Sequence, residues 1–195
     1  VLALARPVLP TPAVTEGTVG LLLDASASMS ATDVSPSRFA EAQRAAAELV
    51  SELESDAEMT IIAVGRQPRI LAAATSDQTA LRQAIAAAKP EHGTADWEAA
   101  FALAAGVVRG AAESSMIVLS DGAGLTLAAD LPPLEGSIRY LPVGQEGGTS
   151  NLAITAMSAR EGASCPELFV NLLHTGPGGP EEPLISLYLD GELYD

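Results

Sequence analysis

Several residue types are scarce in this chain of 195 residues. It has a single cysteine, Cys165, a single lysine, Lys89, and only three phenylalanines, three tyrosines and one tryptophan. One cysteine excludes an intramolecular disulfide framework and a cysteine-based zinc site. Positive charge is scarce too. Ten basic residues stand against 25 acidic ones, for a formal net charge of −15. That balance excludes nucleic-acid binding through a broad basic surface and polybasic docking on anionic lipid. No apolar run reaches the roughly 18–20 residues of a membrane helix. No stretch shows the charged start and long apolar centre of a signal peptide. What is abundant is apolar matter. At 48% of residues it can build a sizeable core, which excludes a disordered or collagen-like chain.

The length exceeds the usual domain of about 100–150 residues, so a domain and a smaller appendage are expected. Residues 1–16 form an extended lead-in containing Pro7, Pro10 and Pro12. The opening Val1-Leu2-Ala3-Leu4-Ala5-Arg6-Pro7 reads equally as the last turn of a membrane helix or as a short apolar tail. Thr18 to Leu23 is apolar on both faces and ends at Asp24, which suits a buried strand of a parallel sheet. Ser35-Pro36 offers a cap and a first-turn proline for an amphipathic helix over 36–54. Met59–Val64 and Arg69–Ala74, joined by a short turn, read as an antiparallel hairpin at a sheet edge. Ser76 caps a helix over 77–88, and a further helix spans 95–109. Met116–Leu119 and Ile138–Val143 complete the strands.

Strands alternating with helices up to residue 143 predict an α/β three-layer sandwich with a mostly parallel sheet. After Gly144 the pattern changes. A Gly147-Gly148-Thr149-Ser150 linker leads into strand-like runs at 152–159, 167–173 and 184–189, the last closed by the hairpin turn Asp190-Gly191. The expected domains are therefore 17–146 and, over 150–195, the start of a truncated, immunoglobulin-like β-sandwich. A small β appendage packed on the first domain is the alternative. Its open strand edges invite self-association.

The segment that carries chemistry is Asp24-Ala25-Ser26-Ala27-Ser28. Ligands of open α/β sheets bind beyond the carboxyl ends of the strands, which is where Asp24 falls. Serines two and four residues on can turn their hydroxyls to the same point. Asp121 follows a strand directly, and Thr94 sits in His92-Gly93-Thr94-Ala95-Asp96 before a helix. All five are hard oxygen donors, suited to Mg²⁺, Ca²⁺ or Mn²⁺ rather than zinc or copper. Each also has a plainer use. Asp and Ser favour capped turns, Thr94 can cap a helix, and Asp121-Gly122 can be a turn. Asp33 reads as a loop residue, Asp96 as a helix-dipole partner, His92 as an exposed loop histidine, and Trp97 and Phe101 as core.

In this order and context the five residues resemble the D-x-S-x-S motif and remaining ligands of von Willebrand factor A domains. The resemblance covers roughly residues 16–145. It implies a metal-ion-dependent adhesion site in which Asp24, Ser26 and Ser28 match the first loop, Thr94 the second and Asp121 the third. It implies magnesium, or else calcium or manganese, and a protein partner that offers an acidic side chain to the metal. Ala27 stands where the family often has glycine, and no final helix is evident after the fifth strand, so the sheet is expected to be one unit shorter. The proline-rich lead-in, Ala31-Thr32-Asp33-Val34 and Ser37-Arg38 are similar to bacterial membrane-anchored A-domain proteins of the Bat type. That likeness implies an extracytoplasmic module of a membrane-anchored protein, of which this chain is a soluble fragment, working with a MoxR-type ATPase system.

The leading expectation is thus a non-enzymatic, metal-dependent protein-binding module. A Mg²⁺-dependent phosphatase or hydrolase using Asp24 or Ser26 as nucleophile is an alternative. It finds no Gly-x-Ser-x-Gly elbow, no P-loop and no second aspartate two residues after Asp24. A purely structural domain is the third reading.

Overall fold

A computed structural model describes residues 17–111, 113–125, 136–145, 151–162, 166–175 and 184–194. The lead-in, the glycine linker and Cys165 lie outside the described residues. The chain divides into two units, Val1–Gly144 and Gln145–Asp195.

In the first unit the apolar runs become strands whose faces are both covered. Strand β1 (Thr18–Asp24) lies at the centre, parallel to β2 (Glu58–Val64) on one side and β4 (Ser114–Ser120) on the other. Antiparallel β3 (Arg69–Thr75) forms one edge and parallel β5 (Ser137–Pro142) the other, in the order β3-β2-β1-β4-β5. Register puts Leu22 between Ile62 and Val118, so each strand supplies apolar residues at the same level. Helices α1 (Arg38–Ser51) and α2 (Gln78–Ala87) cover one face. There Phe39, Ala46, Val50, Leu81 and Ile85 pack with Leu21, Leu23, Ile61 and Ile117. Helix α3 (Trp97–Val108) covers the other, where Trp97, Phe101 and Ala104 pack with Leu22, Ile62, Met116 and Val118. Neighbouring residues of one strand therefore enter different cores, which is why β1 shows no apolar–polar alternation. This is the predicted α/β three-layer sandwich, hairpin edge included.

The caps differ from expectation. Helix α1 starts at Arg38, and its cap is Ser37, whose hydroxyl accepts from the Ala40 N–H at 3.2 Å. The cap of α2 is Asp77, whose Oδ1 accepts from the Thr79 and Ala80 N–H groups at 2.8 and 3.2 Å. Ser35 and Ser76 do not serve. An extended cap must immediately precede the first helical residue, and the serines lie one or two residues too early. Asp96, expected near the α3 dipole, is its cap, accepting from the Ala99 N–H at 3.0 Å.

The second unit is all-β, as two small antiparallel sheets among the described residues. Strand β6 (Asn151–Glu161) pairs with β7 (Pro166–Thr175), with a register shift between Ile154 and Ala156. Strand β8 (Tyr188–Leu189) pairs with β9 (Glu192–Leu193). Asp190 and Gly191 between them have φ of 52° and 88°, a left-handed pair that suits a two-residue hairpin turn. The run expected as a strand over 184–189 is a strand only at its last two residues. Among the described residues no helix follows β5.

Candidate metal centre

The carboxyl ends of β1 and β4 meet at one edge of the sheet, and the site grows from them. Asp24 ends β1 fully buried. Its Oδ1 accepts from the Ser26 N–H at 2.8 Å and its Oδ2 from the Ser120 hydroxyl at 2.5 Å. After Ser26 the chain makes a 3-10 turn, Ala27–Ser30, anchored by the buried Met29. The turn brings the Ser28 hydroxyl back to 3.1 Å from that of Ser26. Three of the five predicted donors are thus in one cluster.

The second loop is stitched to the first by main chain. Ala27 N–H donates to the Gly93 carbonyl at 2.9 Å, and Glu91 N–H to the Ala25 carbonyl at 2.7 Å. Gly93 has φ of 124°, a conformation side chains rarely adopt. Thr94, the next residue, is exposed. No hydrogen bond joins it to the other four donors among the described residues. It lines a cavity of about 510 Å³ together with Arg66, Trp97 and Gly124.

The third loop carries Asp121. Its Oδ1 accepts from the Ala123 N–H at 2.9 Å, and its Oδ2 from Arg38 Nη1 at 2.6 Å. Arg38 also donates through Nε to Asp33 Oδ1 at 2.7 Å. Asp33, read from sequence as a plain loop residue, is therefore half of an ion-paired bridge. Ser120 ties the pieces together. Its hydroxyl accepts from Gly122 N–H at 3.0 Å, and its carbonyl accepts from the Tyr140 hydroxyl at 2.9 Å.

Burial raises the Asp24 carboxyl above its ordinary range, and the negative charge of Asp121 adds to the rise; the hydrogen bonds from Ser120 and Ser26 oppose it. Burial likewise raises the Tyr140 phenol, with the charges of Asp121 and Asp24 contributing. Arg38 is raised, chiefly by its hydrogen bond to Asp33. Asp24 and Asp121 thus act on each other electrostatically across the edge. Charging Asp24 is costly in this setting, and a nearby cation would offset that cost.

Sequence reasoning did not assign Arg38, Ser120 or Tyr140 to the site. One signal was present. A cation at the first position of a helix opposes the helix dipole, so Arg38 needed carboxylates to hold it there. Among the described residues no three His, Cys, Asp or Glu side chains form a metal-binding group. The candidate set instead draws three of its five donors from hydroxyls.

In open α/β sheets ligands bind beyond the carboxyl ends of the strands, and the polar loop cluster sits at that edge. Residues 19–123 match the model of the von Willebrand factor type A domain, and the chain belongs to that family. Domains of this family are typically protein-interaction modules and commonly bind a divalent metal. The chain's structure is similar to that of an aerotolerance-related membrane protein from Bacteroides fragilis. The two are 24% identical with a TM-score of 0.61, and the match covers 80% of this chain and 81% of that one. It is also similar to the conserved hypothetical protein BatB from Bacteroides thetaiotaomicron, at 21% identity and a TM-score of 0.59, over 83% of this chain and 80% of that one. A von Willebrand factor type A structure from Catenulispora acidiphila is 19% identical with a TM-score of 0.52, over 64% of this chain and 33% of that one. At such identities the likeness establishes the fold. No curated protein matches the chain.

Proposed function

We propose that this chain is a non-enzymatic, divalent-cation-dependent protein-binding module. Asp24, Ser26, Ser28, Thr94 and Asp121 hold Mg²⁺, or alternatively Ca²⁺ or Mn²⁺, and the partner supplies an acidic side chain. The observation that carries this reading is the pair of hydroxyls, Ser26 and Ser28, 3.1 Å apart beside a buried carboxylate whose two oxygens are already held by the protein. The donor chemistry fits a hard cation. When bound, the cation supplies concentrated positive charge that a partner's carboxylate can ligate. The chain's own residues do the rest. Met29 and the Ala27–Gly93 hydrogen bond fix the first two loops, and Ser120 orients Asp24. No Gly-x-Ser-x-Gly elbow surrounds Ser26, which favours binding over hydrolysis.

The same reading extends to the setting. The described residues contain no helix long and apolar enough to cross a membrane. Since a similar structure is that of a membrane protein, we assign this chain to an extracytoplasmic, membrane-anchored protein, and from the Bat-type likeness of its sequence we propose that it acts with a MoxR-type ATPase system.

Titration calorimetry with MgCl2, MnCl2 and CaCl2 on wild type and Asp24→Asn tests the site. Wild type binds one cation and the variant binds none or binds at least tenfold more weakly. Equal binding by both removes the metal site. A phosphatase screen that found Mg²⁺-dependent turnover, lost in Ser26→Ala, would establish the enzyme instead.

A further inference from the structure

We propose that Arg38 is a built-in competitor of the divalent cation: its guanidinium occupies Asp121, and this lowers the affinity of the site. The inference rests on the cation-binding reading above and concerns a residue outside the five proposed ligands. Arg38 bridges two carboxylates, with Nε on Asp33 Oδ1 at 2.7 Å and Nη1 on Asp121 Oδ2 at 2.6 Å. The side chains are 17% exposed for Arg38, 7% for Asp33 and 2% for Asp121. Within this half-enclosed setting the pair is only weakly screened, unlike an exposed surface bridge.

The seat for Arg38 is built by the surrounding chain. Gly144 has φ of 94°, and a Cβ there would stand 2.9 Å from Arg38 Nε and 3.2 Å from Asp33 Oδ2. The Gly144 N–H is itself held by Glu41 Oε2 at 3.0 Å, one turn along α1 from Arg38. The backbone already takes the other Asp121 oxygen, through Ala123. Arg38 therefore holds the oxygen that remains. A cation drawn to Asp24, Ser26 and Ser28 meets an Asp121 whose charge is already shared, and a like charge beyond it. Both effects weaken its binding. They also leave a bound cation less neutralised by this chain, and so more open to a carboxylate from outside.

The test is the sign of a change. Titration calorimetry with MgCl2 and MnCl2 is run on wild type, Arg38→Gln and Arg38→Lys. Arg38→Gln binds about tenfold more tightly than wild type. Arg38→Lys falls between them, because an ammonium keeps the charge but not the fork that spans both carboxylates. Thermal melts add a second readout. Without cation Arg38→Gln melts below wild type, and its gain on adding MgCl2 is larger. A residue that merely props the loop would weaken cation binding when removed, so equal or weaker binding by Arg38→Gln overturns the proposal. Should Arg38→Gln not fold, Arg38→Lys carries the same sign. Failure of both to fold makes Arg38 structural and also overturns it. Silence of wild type and both folded variants overturns the cation-binding reading itself. Binding by wild type with no gain in Arg38→Gln overturns this proposal alone.

Discussion

The two units of the chain use the same material to different ends. In the first, Leu21, Leu22 and Leu23 follow one another along β1 and all three are fully buried. In the second, Ile154 and Met157 lie on β6 with 64% and 68% of their surface exposed. The difference follows from connectivity. Parallel strands must be joined by crossovers, and here α1, between β1 and β2, and α2 with α3, between β3 and β4, return over the sheet and cover its two faces. An antiparallel pair such as β6–β7 needs only a short connection and so brings no cover with it. Its register aligns Ile154 with Leu172, Met157 with Val170 and Ala159 with Leu168, which makes one face a continuous apolar strip. A two-stranded sheet is marginal by itself, whereas the five-stranded one carries its own core.

Substitutions can break or sharpen that contrast. The largest effect is expected in the α3 core. Phe101→Ala should cost about 3–5 kcal/mol in urea denaturation, since the ring is fully buried between α3 and the sheet. A loss under about 1 kcal/mol would mean that the first unit is not the packed body described here. Next comes the cation. At about a hundred times its dissociation constant it should stabilise the first unit by about 2.7 kcal/mol. Amide exchange should slow around residues 24–30 and 91–97 and stay unchanged over 151–175. Slowing in both units would end the contrast. A smaller effect belongs to the cap of α1. Ser37→Ala should cost about 1 kcal/mol and Ser35→Ala almost nothing, and the reverse order would move the helix start back to Pro36. The smallest effect is expected on β6, where Ile154→Ala should change stability by no more than about 0.5 kcal/mol. A loss comparable to that of Phe101→Ala would show that the apolar strip is covered in solution. Self-association is the form of cover expected, and mass measured by light scattering would then rise with concentration and fall in Met157→Lys.

Much of this was legible in the residues. Thr18–Leu23 declares a buried strand of a parallel sheet because both of its faces are apolar, and Met59–Val64 with Arg69–Ala74 after Pro68 declares the hairpin at the sheet edge. Helix starts were legible only to within two residues. Ser35 and Ser37, like Ser76 and Asp77, are both competent caps. The choice falls to the one that lets the first apolar residue reach the core, as Ser37 does for Phe39. The strand expected over 184–189 failed for a different reason. Asp190-Gly191 sets local pairing at its flanks, but Leu184 and Ile185 have no cross-strand partner among the described residues and are exposed. In the candidate site, Asp24, Ser26 and Ser28 were visible as a spacing, since they are local. Arg38 was not: its place at a helix start asks for carboxylates, but nothing near it in the chain points to Asp121, 83 residues away. Thr94 lies in the second loop and borders a cavity, with no hydrogen bond to the other four donors among the described residues.

Trp97 has a practical consequence. It is the only tryptophan in the chain, is almost wholly buried against Phe101 with ring centroids 5.9 Å apart, and lines the cavity that Thr94 borders. Nature has therefore installed a single optical label at the rim of the second loop. Any change in indole emission on adding a ligand reports on that one spot, without isotopes, dyes or assignment.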